Sequence, residues 1–399
     1  MTATFISALS AVSAGLLFIP ISVFLVEVIA AIAMPSRKRG EQQSNPLRER
    51  VAVLIPAHNE SVGILPTITD VQKQLRRGDR LLVVADNCTD DTADVALAAG
   101  AEVVQRHDSA RHGKGFALVF GLAHFALDPP AIVVVVDADC QVEDDAIDEL
   151  TISCAMTSRP VQALYLMTAP ADSGIKYQVA EFAWRVKNWL RPLGLKALNL
   201  PCQLMGSGMA VPWHVIQLAD LAHGGLVEDL KLGLDLASVR YPPVFCPSAR
   251  VTSQFASSET GVSTQRARWE HGHINTILTS VGRLLCSAIL HRNWALLALA
   301  LDLAVPPLSL LSILVAVVFI LTGLAAFFHF SRLGLAFSAA DAVLFLLATF
   351  LAWIKCGREI LPFKALLLIA PYIFEKFGLY LRVLSNRIDA VWIRTDRAK

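Results

Sequence analysis

Apolar positions along the chain follow three patterns, each predicting a different kind of element. The first is the long stretch almost without charge. From Leu9 to Met34 the only charged residue is Glu27, enough chain to cross a hydrocarbon core of roughly 30 Å as one helix. Another such region runs from Trp294 to Phe330 with Asp302 as its one formal charge, too long for a single perpendicular span at about 1.5 Å per residue. Pro306 and Pro307 are expected to divide it into an interfacial approach over 293–305 and a span over 307–328. Residues 335–354, interrupted by Asp341, make a third span. The second pattern is the short apolar run between polar segments. Residues 51–55, 80–85, 101–105 and 132–136 read as buried strands, and 61–75, 91–99 and 115–126 as the helices between them. That alternation predicts a doubly wound α/β domain with a parallel sheet, occupying 51–285 behind a basic polar linker at 35–50. The third pattern is amphipathic. Between 176 and 200, Trp184, Arg185, Lys187, Trp189, Arg191 and Lys196 stand among apolar residues, which fits a helix on a membrane surface or one packed in a core equally well.

Charge orients these pieces. Arg37, Lys38, Arg39, Arg48 and Arg50 follow the first apolar stretch, so the stretch reads as an anchor with the α/β domain on its cytoplasmic side and not as a cleaved signal. Three spans would return the basic tail (Arg387, Arg394, Arg397, Lys399) to the same side. Residues 361–384 are therefore expected to lie in the interface or re-enter, as Pro362, Lys364, Pro371, Glu375, Lys376 and Arg382 also suggest. Glu27, close to the cytoplasmic end of its span, either reaches the interface or makes a functional contact; reaching the interface is the simpler reading. With 54% hydrophobic and 17% charged residues the chain is no ordinary soluble enzyme, and a formal charge of +1 offers no basic field for nucleic acid. Seven cysteines without CxxC spacing read as reduced thiols.

The predicted strands end in polar chemistry, and open α/β sheets bind ligands beyond their strands' carboxyl ends. The first gives Pro56-Ala57-His58-Asn59-Glu60, the second Asp86-Asn87-Cys88-Thr89-Asp90-Asp91, and the fourth Asp137-Ala138-Asp139. A lone acid there is usually a turn or helix cap, the role expected of Asp90 and Asp91. Two carboxylates one residue apart at the end of a valine run instead suit a hard divalent cation that also holds phosphate oxygens. Arg111-His112-Gly113-Lys114-Gly115 brings cations and glycine to a helix N-terminus, where a diphosphate could sit. His271 and His273 have no acidic or cysteine companion at metal-site spacing and are not expected to bind metal.

Taken in order, these segments resemble the large inverting glycosyltransferase family 2, with its GT-A nucleotide-sugar fold, in its bacterial membrane-anchored branch. Residues 53–60 resemble the family's first strand, Asp86 its uridine-contacting aspartate, and Asp137-Ala138-Asp139 its DxD motif. Gly206-Ser207-Gly208 resembles the acceptor-side glycine loop, and Val227-Glu228-Asp229 the TED motif with valine for threonine. Gln265-Arg266-Ala267-Arg268-Trp269 matches QxxRW, and Trp392-Ile393-Arg394-Thr395-Asp396-Arg397 is similar to a C-terminal signature in some members.

The resemblance implies that Asp137 and Asp139 hold Mg²⁺ or Mn²⁺, that Asp229 is the general base, and that Glu228 supports it. Pro56, Glu60, Asp86, Lys114, Asp137, Gln265 and Arg268 would bind the nucleotide-sugar; Gly206, Ser207, Gly208 and Trp269 would face the acceptor. The expected activity is transfer from a UDP-sugar to a lipid-linked saccharide or growing polysaccharide at a bacterial inner membrane, alone, as a homo-oligomer or within a polysaccharide-assembly complex. A processive synthase of cellulose, chitin or hyaluronan type is the nearest alternative, and a silent nucleotide-sugar sensor a more distant one.

Overall fold

The computed structural model describes residues 2–35, 48–170, 173–221, 227–256, 259–364, 376–378 and 380. The chain opens with α1 (Thr2–Ala33), crosses to β1 (Val51–Ala57), and then alternates: α2 (Ile64–Gln72), β2 (Arg80–Asp86), α3 (Thr92–Ala98), β3 (Glu102–Arg106), α4 (Lys114–Phe125), β4 (Ile132–Val135). Then come β5 (Gln141–Val142), α5 (Ala146–Thr157) and β6 (Val161–Thr168). Next, α6 (Ile175–Arg185) continues through a wide π turn at Val186–Leu190 into α7 (Arg191–Ala197). After β7 (Met209–Pro212), α8 (Trp213–Ile216), α9 (Glu228–Ser238) and β8 (Val244–Gln254), the remaining elements among the described residues are helical. The last helices are α10 (Glu259–Leu290), α11 (Trp294–Leu303), α12 (Leu308–Phe327) and α13 (Arg332–Ala352), the last continuing as a π turn to Gly357.

The eight strands form one sheet in the order β3-β2-β1-β4-β7-β6-β8-β5. β3, β2, β1 and β4 are parallel, as the alternating pattern predicts. The other half departs from the expected parallel sheet: β7 runs antiparallel to both β4 and β6, and β5 antiparallel to β8. The sheet is therefore mixed. The cause is local, because the chain returns to β7 through a long excursion over α6 and α7 instead of a simple crossover helix. Successive residues of β1 divide between two cores. Val51, Val53 and Ile55 pack against Ile64 and Ile68 of α2 and Ile147 and Leu150 of α5, whereas Ala52 and Leu54 pack against Leu118 and Phe125 of α4 and Leu232 and Leu236 of α9. Both faces are covered, so neither β1 nor β4 exposes an apolar side chain.

Among the described residues, four helices are long and apolar enough to cross a membrane: Thr4–Ala33, Ala267–Leu290, Leu308–Phe327 and Arg332–Gly357. Three coincide with the expected spans, while the second belongs to α10, which runs unbroken across position 285. The expected interfacial approach is α11, a ten-residue helix whose Asp302 is buried. Buried positions recur at alternating spacings of four and three along α1 (Ser10, Ala14, Leu17, Ile21, Phe24, Val28, Ala31) and α13 (Gly334, Ser338, Asp341, Phe345, Ala348, Ala352), the seam of a knobs-into-holes contact. Ser7 meets Ser331 and Phe24 meets Phe345, so these two helices run parallel, 3.2 Å apart at the hydroxyls and 6.5 Å between rings.

Glu27 does not reach an interface as the simpler reading expected. It is buried against Arg191 of α7, with Nε 2.6 Å from Oε2, and Arg191 also pairs with Asp302 of α11. The helix spanning 176–200 thus packs inside the molecule, wedged between α1 and the sheet. Gly194 permits this approach: a Cβ there would lie 1.9 Å from the Glu27 carbonyl oxygen. The basic linker at 36–47, most of 361–384 and the motif at 392–397 lie outside the described residues.

Candidate active site

A cavity of about 290 Å³ opens beyond the carboxyl ends of β1, β2 and β4. β1 delivers Pro56, Ala57 and His58, with Glu60 just beyond; β2 delivers Asp86; the chain leaving β4 delivers Asp137 and Asp139. Asp86 is buried and held by Arg106, whose Nη1 donates to Oδ1 over 2.6 Å, while the Asp86 carbonyl pairs with His58 Nδ1 at 2.7 Å. Arg106 was not singled out in the sequence, because a lone arginine ending a strand carries no local signal. Asp90, one of the two expected helix caps, accepts from the Thr92 amide at 3.1 Å; the Asp91 side chain makes no cap bond.

Lys114 opens α4 and reaches across the cavity floor. Its ammonium pairs with Asp137 and donates to the Gly206 carbonyl over 2.6 Å. Burial disfavours the charge, but Asp137, Glu228 and Asp229 outweigh it and hold the Lys114 pKa above its ordinary value. Asp139 accepts from Ser253 at 3.2 Å. Oxygens of Asp137 and Asp139 and the Cys140 sulfur lie within 4.8 Å of one another. Cys140, however, is buried and shares a 3.3 Å contact with the Ser207 hydroxyl, and burial pushes its thiol up to about 12. The ligands facing the cavity are therefore hard oxygens, a donor set that fits Mg²⁺ or Mn²⁺ and not a thiophilic metal.

On the opposite wall, Glu228 and Asp229 form the first turn of α9. Burial raises both carboxyl pKa values; for Glu228 the Asp229 charge adds to it, and for each the Lys114 cation offsets part. Gly206, with φ of +94°, curls against this turn so closely that a Cβ would stand 3.2 Å from Asp229 Oδ2. Its two neighbours sit elsewhere. Ser207 is wholly buried and its hydroxyl accepts the Asp137 amide over 3.0 Å, and Gly208 exchanges backbone bonds with Val135 and Ala163. Both stand behind the cavity wall and brace it, where no acceptor reaches them.

The first turns of α10 close the cavity with Gln265, Arg268, Trp269 and His273. Gln265 and His273 are each 4% exposed, and Gln265 Oε1 and His273 Nδ1 have no hydrogen-bond partner. Trp269 lies 5.0 Å from Trp184, which in turn meets Tyr165 edge-on at 5.8 Å and donates from Nε1 to its carbonyl. Tyr165, Lys187, Asn188 and Gln203 complete the lining. Lys187 and Asn188 lie in the π turn, a distortion frequent at functional sites. Among the described residues the one cluster able to ligate a metal is that of Asp137, Asp139 and Cys140; His271 and His273 belong to none.

Residues 48–272, more than half the chain, match the model of glycosyltransferase-like family 2. The chain belongs to that family. A probable glycosyltransferase, YdaM, of Bacillus subtilis (strain 168) is 27% identical over 244 residues, and this chain spans 56% of that relative's length, using 57% of its own. Among solved structures, a mannosyltransferase of Pyrobaculum calidifontis in complex with GDP-Man and Mn²⁺ superposes with a TM-score of 0.50 and 17% identity. That superposition covers 86% of this chain and 97% of the other. The fold is accordingly a GT-A α/β fold with a mixed sheet, flanked on both sides by long apolar helices.

Proposed function

We propose that the protein is an inverting, metal-dependent membrane glycosyltransferase that moves a sugar from a nucleotide-sugar, in first place a UDP-sugar, to a lipid-linked saccharide or growing polysaccharide. The observation that carries this reading is convergence. Asp86, Lys114, Asp137 with Asp139, Gly206, Glu228 with Asp229, and Gln265 with Arg268 and Trp269 come from separate segments and meet around one cavity. The complex of the Pyrobaculum mannosyltransferase with GDP-Man and Mn²⁺ lends support to the same class of donor and ion.

Each residue then has work in keeping with its position. Asp86 faces the nucleoside, while Lys114 and Arg268 supply cations for the diphosphate. Asp137 and Asp139 would hold the divalent ion, which when bound neutralises charge on the departing diphosphate. Asp229 takes the proton of the acceptor hydroxyl as that oxygen attacks the anomeric carbon opposite the leaving group, a role worth about 10² to 10⁴ in rate. One such displacement inverts the centre, so an α-linked donor gives a β-linked product. Glu228 stands beside Asp229 as a supporting acid, and Trp269 offers an aromatic face to a sugar ring. We read α1, α12 and α13 as the spans, with α10 along the membrane surface and the catalytic domain in the cytoplasm of a bacterial cell; the parallel run of α1 and α13 agrees with that order.

The test is nucleoside diphosphate release by detergent-purified full-length protein across UDP-, GDP- and dTDP-sugars, with Mg²⁺ or Mn²⁺, membrane lipid extract, EDTA and Asp229→Asn. Release from one donor that EDTA and the substitution both abolish is the expected result. Release unaffected by Asp229→Asn would remove that residue as base, and silence with every donor in reconstituted native membrane would overturn the reading.

A further inference from the structure

A second cavity, of about 100 Å³, opens where the catalytic domain meets the helical bundle. Its walls are mainly apolar and come from several elements, among them Ala183 of α6, Phe24 of α1, Trp269 and His273 of α10, and Leu308 and Leu311 of α12. Trp184, Lys187, Trp269 and His273 line both cavities, so these four side chains form a neck between them. Two groups at the neck have chemistry to spare. His273 Nδ1 is buried without a partner, and Lys187 has neither a hydrogen bond nor an ion pair among the described residues.

We infer that the second cavity holds part of the hydrocarbon chain of a lipid acceptor whose phosphate oxygens meet Lys187 at the neck and whose sugar hydroxyl reaches Asp229 in the first cavity. The inference rests on the transferase reading above and narrows its acceptor to a phosphate-bearing lipid saccharide. Three features favour this occupant. Phe24, Leu308 and Leu311 belong to helices long and apolar enough to span a membrane, which puts the cavity at the edge of the hydrocarbon layer. An apolar cavity of this kind favours apolar contents over water. The Lys187 ammonium stands between the apolar space and the carboxylate pair, where an amphiphile oriented chain-outward would place its anionic group.

The experiment is photolabelling of the full-length protein in phosphatidylcholine nanodiscs with a diazirine-bearing fifteen-carbon prenyl phosphate and, separately, the uncharged prenol of the same length. Labelling of the Ala183 and Leu308–Leu311 peptides about tenfold above the exposed Leu321 and Leu346 peptides, competed by unlabelled prenyl phosphate, is expected. Ala183→Trp and Leu308→Trp, filling the cavity from opposite walls, should each lower that labelling about tenfold, and Lys187→Gln should lower it for the phosphate but not the prenol. Label spread evenly over the lipid-facing side chains, or unchanged by the tryptophan that leaves a wild-type melting temperature, overturns the subsite. Equal labelling by prenol and phosphate overturns the neck contact. Labelling needs no turnover. Its failure with nucleoside diphosphate release intact therefore counts against this subsite alone, and retained labelling with no release from any donor counts against the transferase reading alone.

Discussion

The catalytic cavity and the junction between sheet and helical bundle both bury charge, and they treat it in opposite ways. At the junction Arg191 is enclosed by Glu27 and Asp302, and Gln203 donates to the remaining Asp302 oxygen over 2.5 Å. No member is more than 7% exposed in its side chain among the three ions, so the cluster is held away from solvent and acts as a fastener. In the cavity Lys114 faces Asp137, Glu228 and Asp229, all only partly buried, and Lys187 and Arg268 line the same space. That set is open to the cavity, as a site that binds a cation and a donor requires. Gln203 touches both regions, since it lines the cavity and binds the cluster.

Substitutions on the two sides should therefore separate stability from turnover. Arg191→Ala leaves two carboxylates buried without their cation, which costs about 3–5 kcal/mol. Thermal melting of the purified protein should fall sharply, and combined replacement of Glu27, Arg191 and Asp302 by apolar residues of similar volume should recover most of the loss. Asp229→Asn should do the reverse, lowering nucleoside diphosphate release by about 10² to 10⁴ with no drop in melting temperature. An Asp229→Asn protein that melts as low as Arg191→Ala would erase the distinction.

Gly194→Ala probes the fastener more gently. The new methyl would overlap the Glu27 carbonyl, 1.9 Å away, and backbone is the part least able to yield. Separation of α7 from α1 should cost about 1–3 kcal/mol, read as a lower melting temperature. The same exchange at Gly174, where a Cβ meets nothing within 4 Å, should be nearly silent.

How much of this the sequence disclosed follows the same division. β1, β2 and β4 are unbroken apolar runs ending in polar chemistry, so the parallel half of the sheet and the acidic strand ends were legible. β6 carries Gln162 inward, β7 is four residues long, and β8 contains Pro247 among polar residues; without period or length they gave no signal, and the mixed half, with β6 parallel to β8 and β7 antiparallel to its neighbours, went unseen. In the site, motif order located the carboxylates and the α10 residues. Tyr165, Gln203 and Arg106 were missed because their part depends on tertiary approach, and Ser207 and Gly208 were expected at a surface they only support. Glu27 shows the limit most plainly, since its partner Arg191 lies 164 residues further along the chain.

The smallest expected effect concerns pH. Burial raises the carboxyl pKa values of Glu228 and Asp229, with the Asp229 charge adding to it at Glu228 and the Asp137 charge at Asp229, and the base works only when ionised. Turnover should accordingly fall as pH drops through a value above the ordinary carboxylate range. Glu228→Gln leaves the burial of Asp229 in place, so the acid limb of the rate profile should stay where it is. Stability gives a second reading of the same shift. A carboxyl whose folded pKa is raised binds its proton more tightly when folded, so its stabilising contribution is present at low pH and lost as pH climbs from the unfolded value through the folded one. Glu228→Gln should remove that loss, raising the melting temperature slightly at neutral pH but not in acid. Arg191→Ala, acting on the buried cluster, should leave the acid limb of whatever activity survives where it was; a limb that moves with Arg191 would mean that Gln203 transmits charge from the junction into the cavity.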